Sequence, residues 1–151
     1  MKQEVLISIS GLQYEIDKDE AVEVISVGDY YYRNNKHYIV YDEIAEDVEG
    51  VTSCTMKLNK HQVDIIKRGS SNVHMVFEEG IKNATFYQTP FGELQVGILT
   101  NKINLIEEDD KIIAEINYAL DINYAHVSDC EIKIKITPRN NNINKEEGAA
   151  N

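Results

Sequence analysis

Arg68 is the residue whose chemistry the sequence raises first. It shares a strand phase with Ile66, opposite Val63 and Ile65, and it stands just before the break Gly69-Ser70-Ser71-Asn72. A guanidinium that points into a protein interior must be paired, because a buried unpaired charge is very costly. Three readings stay open for it: an internal Asp or Glu partner, exposure at the surface, or a bidentate grip on a ligand carboxylate or phosphate. Beside it stand nine tyrosines, against three Phe and no Trp. Tyr30, Tyr31, Tyr32, Tyr38 and Tyr41 cluster on two neighbouring segments. Alternation in a strand sends Tyr30 and Tyr32 to one side and Tyr31 to the other. Inside, such rings and hydroxyls suit an amphipathic pocket; outside, they suit an interface or cross-strand aromatic pairs. The candidate ligand-binding set is therefore Arg68, Tyr30, Tyr38, Tyr87, Thr89 and Thr100.

Other chemistries lack their signatures. His37, His61, His74 and His126 are single and widely spaced, and no His-x-His, Glu-x-x-His or Cys-x-x-Cys occurs, so neither a metal site nor a cofactor is expected. His74 alternates with Val73 and Met75 and is expected to face water. There is no Gly-x-Ser-x-Gly, no phosphate loop and no dinucleotide fingerprint. The nameable candidates for an enzyme are Arg68, Tyr87 and a carboxylate at a barrel mouth, and no catalytic residue is assigned. Cys54 and Cys130 lie far apart on the apolar phases of their segments, which reads as buried free thiols in a reducing cytoplasm. No signal peptide is read at the start of the sequence, and no apolar run reaches the ~20 residues of a membrane helix.

Charge narrows the partners. Twenty-six acidic against fifteen basic residues leave a net charge of −11. Such a surface repels nucleic-acid phosphates and anionic lipids, so neither nucleic acid nor membrane is an expected partner. The expected partners are a small amphipathic or apolar ligand, or a second copy of the chain.

The elements that must position these residues are strands. Thr89-Pro90-Phe91-Gly92 reads as a tight turn between two strands, with Pro90 presetting φ and Gly92 supplying conformational freedom. Alternation places further strands at 3–9, 20–32, 37–43, 52–58, 61–68 and 73–77. The clearest pattern is Ile112, Ala114, Ile116, Tyr118, Leu120 and Ile122 on one face, followed by Cys130, Ile132, Ile134 and Ile136. One dry face and one wet face is the antiparallel habit. Gly28 suggests a bulge or a sharp bend, Asn34-Asn35 a hairpin tip, Asn59-Lys60 and Glu79-Gly80 turns, and 43–50 an acidic connection with room for one helical turn. About nine or ten strands joined by tight turns predict an all-β, up-and-down antiparallel meander closed as a barrel, with a β-sandwich as the alternative. The barrel spans 1–138. A disordered polar tail is predicted over 139–151.

Val5-Leu6-Ile7-Ser8-Ile9, Ile66-Lys67-Arg68-Gly69-Ser70, Met75-Val76-Phe77, Tyr87-Gln88-Thr89-Pro90-Phe91-Gly92 and Gly97-Ile98-Leu99-Thr100 together resemble the YwiB-like family of small bacterial cytoplasmic proteins. The resemblance covers nearly all of the chain to about residue 137. It implies a calycin-type, lipocalin-like barrel and no known activity. The expected function is thus non-catalytic binding of a small amphipathic or apolar molecule. A homodimeric interaction protein with a filled barrel and an enzyme acting at the mouth are the alternatives.

Overall fold

Ten strands form one antiparallel sheet in the computed structural model, which describes residues 3–11, 23–44, 51–69, 72–89 and 92–139, without the side chains of 23, 24, 44 and 87–89. They are β1 (Gln3–Ser10), β2 (Glu23–Arg33), β3 (Lys36–Ile44), β4 (Val51–Leu58), β5 (Gln62–Arg68), β6 (Val73–Glu78), β7 (Lys82–Thr89), β8 (Gly92–Glu108), β9 (Lys111–Ile122) and β10 (Ala125–Pro138). Each strand pairs with its neighbour in sequence, and β1 also pairs with β10, Ile7 standing opposite Ile136. This is the expected up-and-down meander, curled into a nearly closed barrel. The seam lies between β6 and β7, which among the described residues share one bridge, Glu78 to Ile81.

Alternation decides what fills the barrel. Val5, Ile7 and Ile9 of β1, Ile132, Ile134 and Ile136 of β10, and Ala114, Ile116 and Tyr118 of β9 all point inward and are buried. From the other side come Ile39, Cys54, Met56, Leu58, Val63, Ile65 and Phe77. These belong to one apolar cluster, and the Phe77 and Tyr118 rings meet edge to face at 5.1 Å. Burying each such side chain contributes roughly 1.5–3 kcal/mol relative to leaving it in water.

The turns explain the register. Asn34 and Asn35 both have positive φ (54° and 62°), as the β2–β3 tip requires. The β6–β7 turn is centred on Glu79-Gly80 as expected, with the Ile81 amide donating to the Glu78 carbonyl. At β4–β5 the expected tip Asn59-Lys60 shifts by one residue. Asn59 and Gln62 pair through the main chain, and the Asn59 side chain accepts from the His61 and Gln62 amides, so Lys60 and His61 form the tip. Gly28 makes no bulge. A Cβ there would stand 2.6 Å from the Val40 carbonyl and 2.8 Å from Ile7 Cδ1, so its role is close packing of β2 against its neighbours. Gly92 opens β8 at φ 122°, as its place after the turn demands. Pro90, Phe91, the connection 45–50 and the tail from 140 onward lie outside the described residues.

Candidate functional site

The turns β2–β3, β4–β5, β6–β7 and β8–β9 share one end of the barrel, the mouth, together with the far end of β10. There the inward phase of β3 (His37, Ile39, Tyr41, Glu43) begins with a histidine, 7% exposed. Its ring links two elements far apart in sequence. His37 Nε2 lies 2.6 Å from Glu107 Oε2 on β8, and the Tyr30 hydroxyl on β2 lies 2.8 Å from His37 Nδ1. A carboxylate only accepts, so Nε2 carries the proton that faces Glu107, and the Tyr30 hydroxyl completes the chain at Nδ1. The assignment follows from the partners. Tyr32 tilts over the same imidazole at 5.1 Å.

Burial pushes the Tyr30 hydroxyl above its ordinary pKa, and the nearby Tyr32 and Glu107 push it the same way. The phenol therefore stays protonated at neutral pH and serves as a hydrogen-bonding group rather than a nucleophile. Glu107 is half exposed, so the chain runs from the barrel interior to solvent.

Two pockets flank this chain. One, of about 150 Å³, has Val5, Ile112 and Ile136 as an apolar floor and Tyr30, His37 and Glu107 as a polar wall. The other, of about 290 Å³, lies between Leu105 and Glu107 on β8 and the hairpin tips at Asn35 and Lys60. His37 and Glu107 line both.

The expected site residues scatter. Tyr30 is at the mouth. Tyr38 is on the outer face, stacked on its register partner Tyr31 at 5.0 Å, with the Lys57 ammonium 5.7 Å from its ring centre. This is the cross-strand aromatic pair. Arg68 is exposed on the outer phase of β5, so it cannot grip a ligand inside the barrel. The cation that does point inward is its neighbour Lys67, which shares the phase of Val63 and Ile65 and pairs with Glu43 at 3.0 Å. Thr100 is fully buried, and its hydroxyl has no hydrogen-bond partner among the described residues. Tyr87 and Thr89 lie on β7, but their side chains are outside the described residues. Cys54 is buried, Cys130 half-buried, and both are free thiols. His74 is exposed and meets Asp64 at 3.0 Å.

His37 and Lys67 were legible as positions on apolar phases. Glu107 was not, because the strand pattern weakens after Thr100, where a register shift between Thr100 and Lys102 interrupts the alternation.

Comparison with known proteins agrees with this architecture. A family model described as Domain of unknown function (DUF1934) matches residues 7–134. A relative from Bacillus subtilis (strain 168), the "Uncharacterized beta-barrel protein YwiB", is 27% identical over 131 residues, which is 85% of this chain and 87% of that protein. The crystal structure of the ywiB protein from Bacillus subtilis matches with a TM-score of 0.71 over 91% of this chain and 92% of that one, at 21% identity.

Proposed function

Because this chain belongs to the DUF1934 family of β-barrel domains, a family whose description carries no activity, we propose its function from the geometry of the mouth. It is a non-catalytic binding barrel, and its ligand is a small amphipathic molecule held at the mouth rather than along the barrel axis. The observation that carries this reading is the Tyr30–His37–Glu107 chain beside an apolar floor. An apolar part of the ligand covers Val5, Ile112 and Ile136. Its polar group meets the remaining lone pairs of Tyr30 and the second oxygen of Glu107. The packed cluster of inward side chains below the mouth favours this placement over a deep cavity. The protonated, hydrogen-bonded state of Tyr30 favours binding over catalysis. Two free thiols suit a reducing cytoplasm.

Native mass spectrometry of gently purified protein tests the reading. The expected result is an extra mass that disappears on denaturation and is lost in Tyr30→Phe/Glu107→Gln. A bound mass that survives this double substitution would place the ligand elsewhere, and protein that carries none after gentle purification would count against the reading.

A further inference from the structure

The β8–β9 hairpin runs past β7, and beyond Ile103 the outer edge of β8 pairs with no strand among the described residues. β7 covers β8 only from Gly92 to Leu99. Beyond that point, the Gly80 amide donates to the Thr100 carbonyl, and the Ile103 amide donates to Glu79 Oε2 at 3.0 Å. A side-chain carboxylate thus stands where a neighbouring strand would offer a carbonyl. The Ile103 amide points away from β9, and main-chain groups two residues apart in a strand point the same way. The amides and carbonyls of Leu105 and Glu107 therefore face the open edge, where both residues line the larger mouth pocket. Neither has a main-chain partner on that side among the described residues. No proline stands on this edge, and the register shift lies behind it at Thr100/Lys102; the one guard it carries is the inward-pointing Glu107.

We propose that this edge accepts an extended peptide, which adds as a strand beside Leu105–Glu107 and carries basic side chains. The pocket of about 290 Å³ leaves space between the edge and the hairpin tips at Asn35 and Lys60. Pairing along Leu105–Glu107 covers about 7 Å of edge. The charge of the occupant follows from the strand end, where Glu107, Glu108, Asp109 and Asp110 stand in a row. Lys111 lies 3.6 Å from Glu108 and Lys60 lines the far side of the pocket, so this end carries four carboxylates against these two ammoniums. A peptide carrying Lys or Arg is drawn to this end, and an acidic one is repelled by it and by the net charge of −11. Main-chain pairing supplies the register and the acidic run selects the sign of the partner, as in strand addition generally. The acidic run also lines the pocket proposed for the small molecule, but main-chain pairing at Leu105 and Glu107 does not depend on that ligand and survives if that proposal fails.

The test uses a capped hexapeptide of alternating Lys and Val, its Glu–Val counterpart, and amide hydrogen exchange read by NMR on the full chain. The basic peptide is expected to slow exchange at Leu105 and Glu107, and the acidic one to leave both unchanged. Leu105→Pro removes one edge donor without touching the β9 ladder, and it is expected to weaken binding about tenfold, the scale of one net main-chain hydrogen bond. Leu105→Ala keeps the edge amide while shortening the same side chain, and it is expected to bind more tightly than Leu105→Pro. Binding without protection of these two amides, equal binding by Leu105→Pro, or no binding of the basic peptide overturns the proposal. If Leu105→Pro does not fold, the wild-type protection pattern decides.

Discussion

The barrel buries a polar group near each end, and the two are built differently. At the mouth, His37 joins Tyr30 and Glu107 in a hydrogen-bonded chain that reaches solvent and lines two pockets. Toward the other end, Lys67 makes an ion pair with Glu43, Nζ lying 3.2 and 3.0 Å from the two carboxylate oxygens. Lys67 is 7% exposed, and the Cys54 thiol and Tyr41 belong to the same neighbourhood. An imidazole needs no countercharge to be buried, and its partners Tyr30 and Glu107 keep hydrogen-bonding capacity with which to meet a ligand. A buried ammonium is tolerable only while its countercharge stays in place. The difference separates a site that can exchange partners from a pair that must not.

The largest expected effect breaks the ion pair. Glu43→Leu leaves the Lys67 ammonium without its carboxylate and should cost about 3–5 kcal/mol in urea unfolding. Adding Lys67→Met should recover most of that loss, because an apolar pair needs no countercharge. If the double variant is no more stable than Glu43→Leu, the cost lies in packing and the contrast between the ends is wrong.

An effect of middle size is alkaline. Burial, with help from Glu43, pushes the Cys54 thiol up to about 11, while Lys67 and Tyr41 pull it partly back. The folded-state value is raised, so the folded chain keeps a proton that the unfolded chain gives up from about pH 9. Stability is unaffected by this group below pH 9, falls between 9 and 11, and levels off above. The thiol accounts for roughly 3 kcal/mol of that fall. Replacing Cys54 by Ala should flatten this part of the stability–pH curve measured by denaturant titration. A decline of the same size in the variant would assign it to other groups.

The smallest effect belongs to the mouth. His37→Gln keeps a side-chain amide where the ring stood and should cost only about 1 kcal/mol, the scale of a net hydrogen bond. Ligand retention should be lost nevertheless. A loss of stability as large as that of Glu43→Leu would make the mouth chain structural and erase the distinction between the two ends.

Residue types and spacing carried the fold a long way. Alternation in 111–122 and 129–136 survives intact as β9 and β10, because an isoleucine on every second residue has one register that buries it. The Asn34-Asn35 tip and Gly92 were legible for the same kind of local reason: the backbone there needs positive φ. Arg68 shows where local reading stops. Its type suggested a ligand clamp, yet its phase with Ile66 already set it opposite Val63 and Ile65, and the inward cation proved to be Lys67. Gly28 could not be read locally either, since what it avoids is the Val40 carbonyl on the next strand.

The sequence by itself determined the strands, their wet and dry faces and most of the turns, because these depend on neighbours one to four residues away. Only the tertiary structure decided the site. Tyr30 and Glu107 stand far apart in the chain and meet through His37 because curling the sheet carries β8 across the mouth from β2 and β3. The open edge at Leu105–Glu107 has the same origin: β7 is shorter than β8, so closing the meander leaves that part of β8 without a paired strand among the described residues. Closure of a barrel is a property of all ten strands together, and no short stretch of residues encodes it.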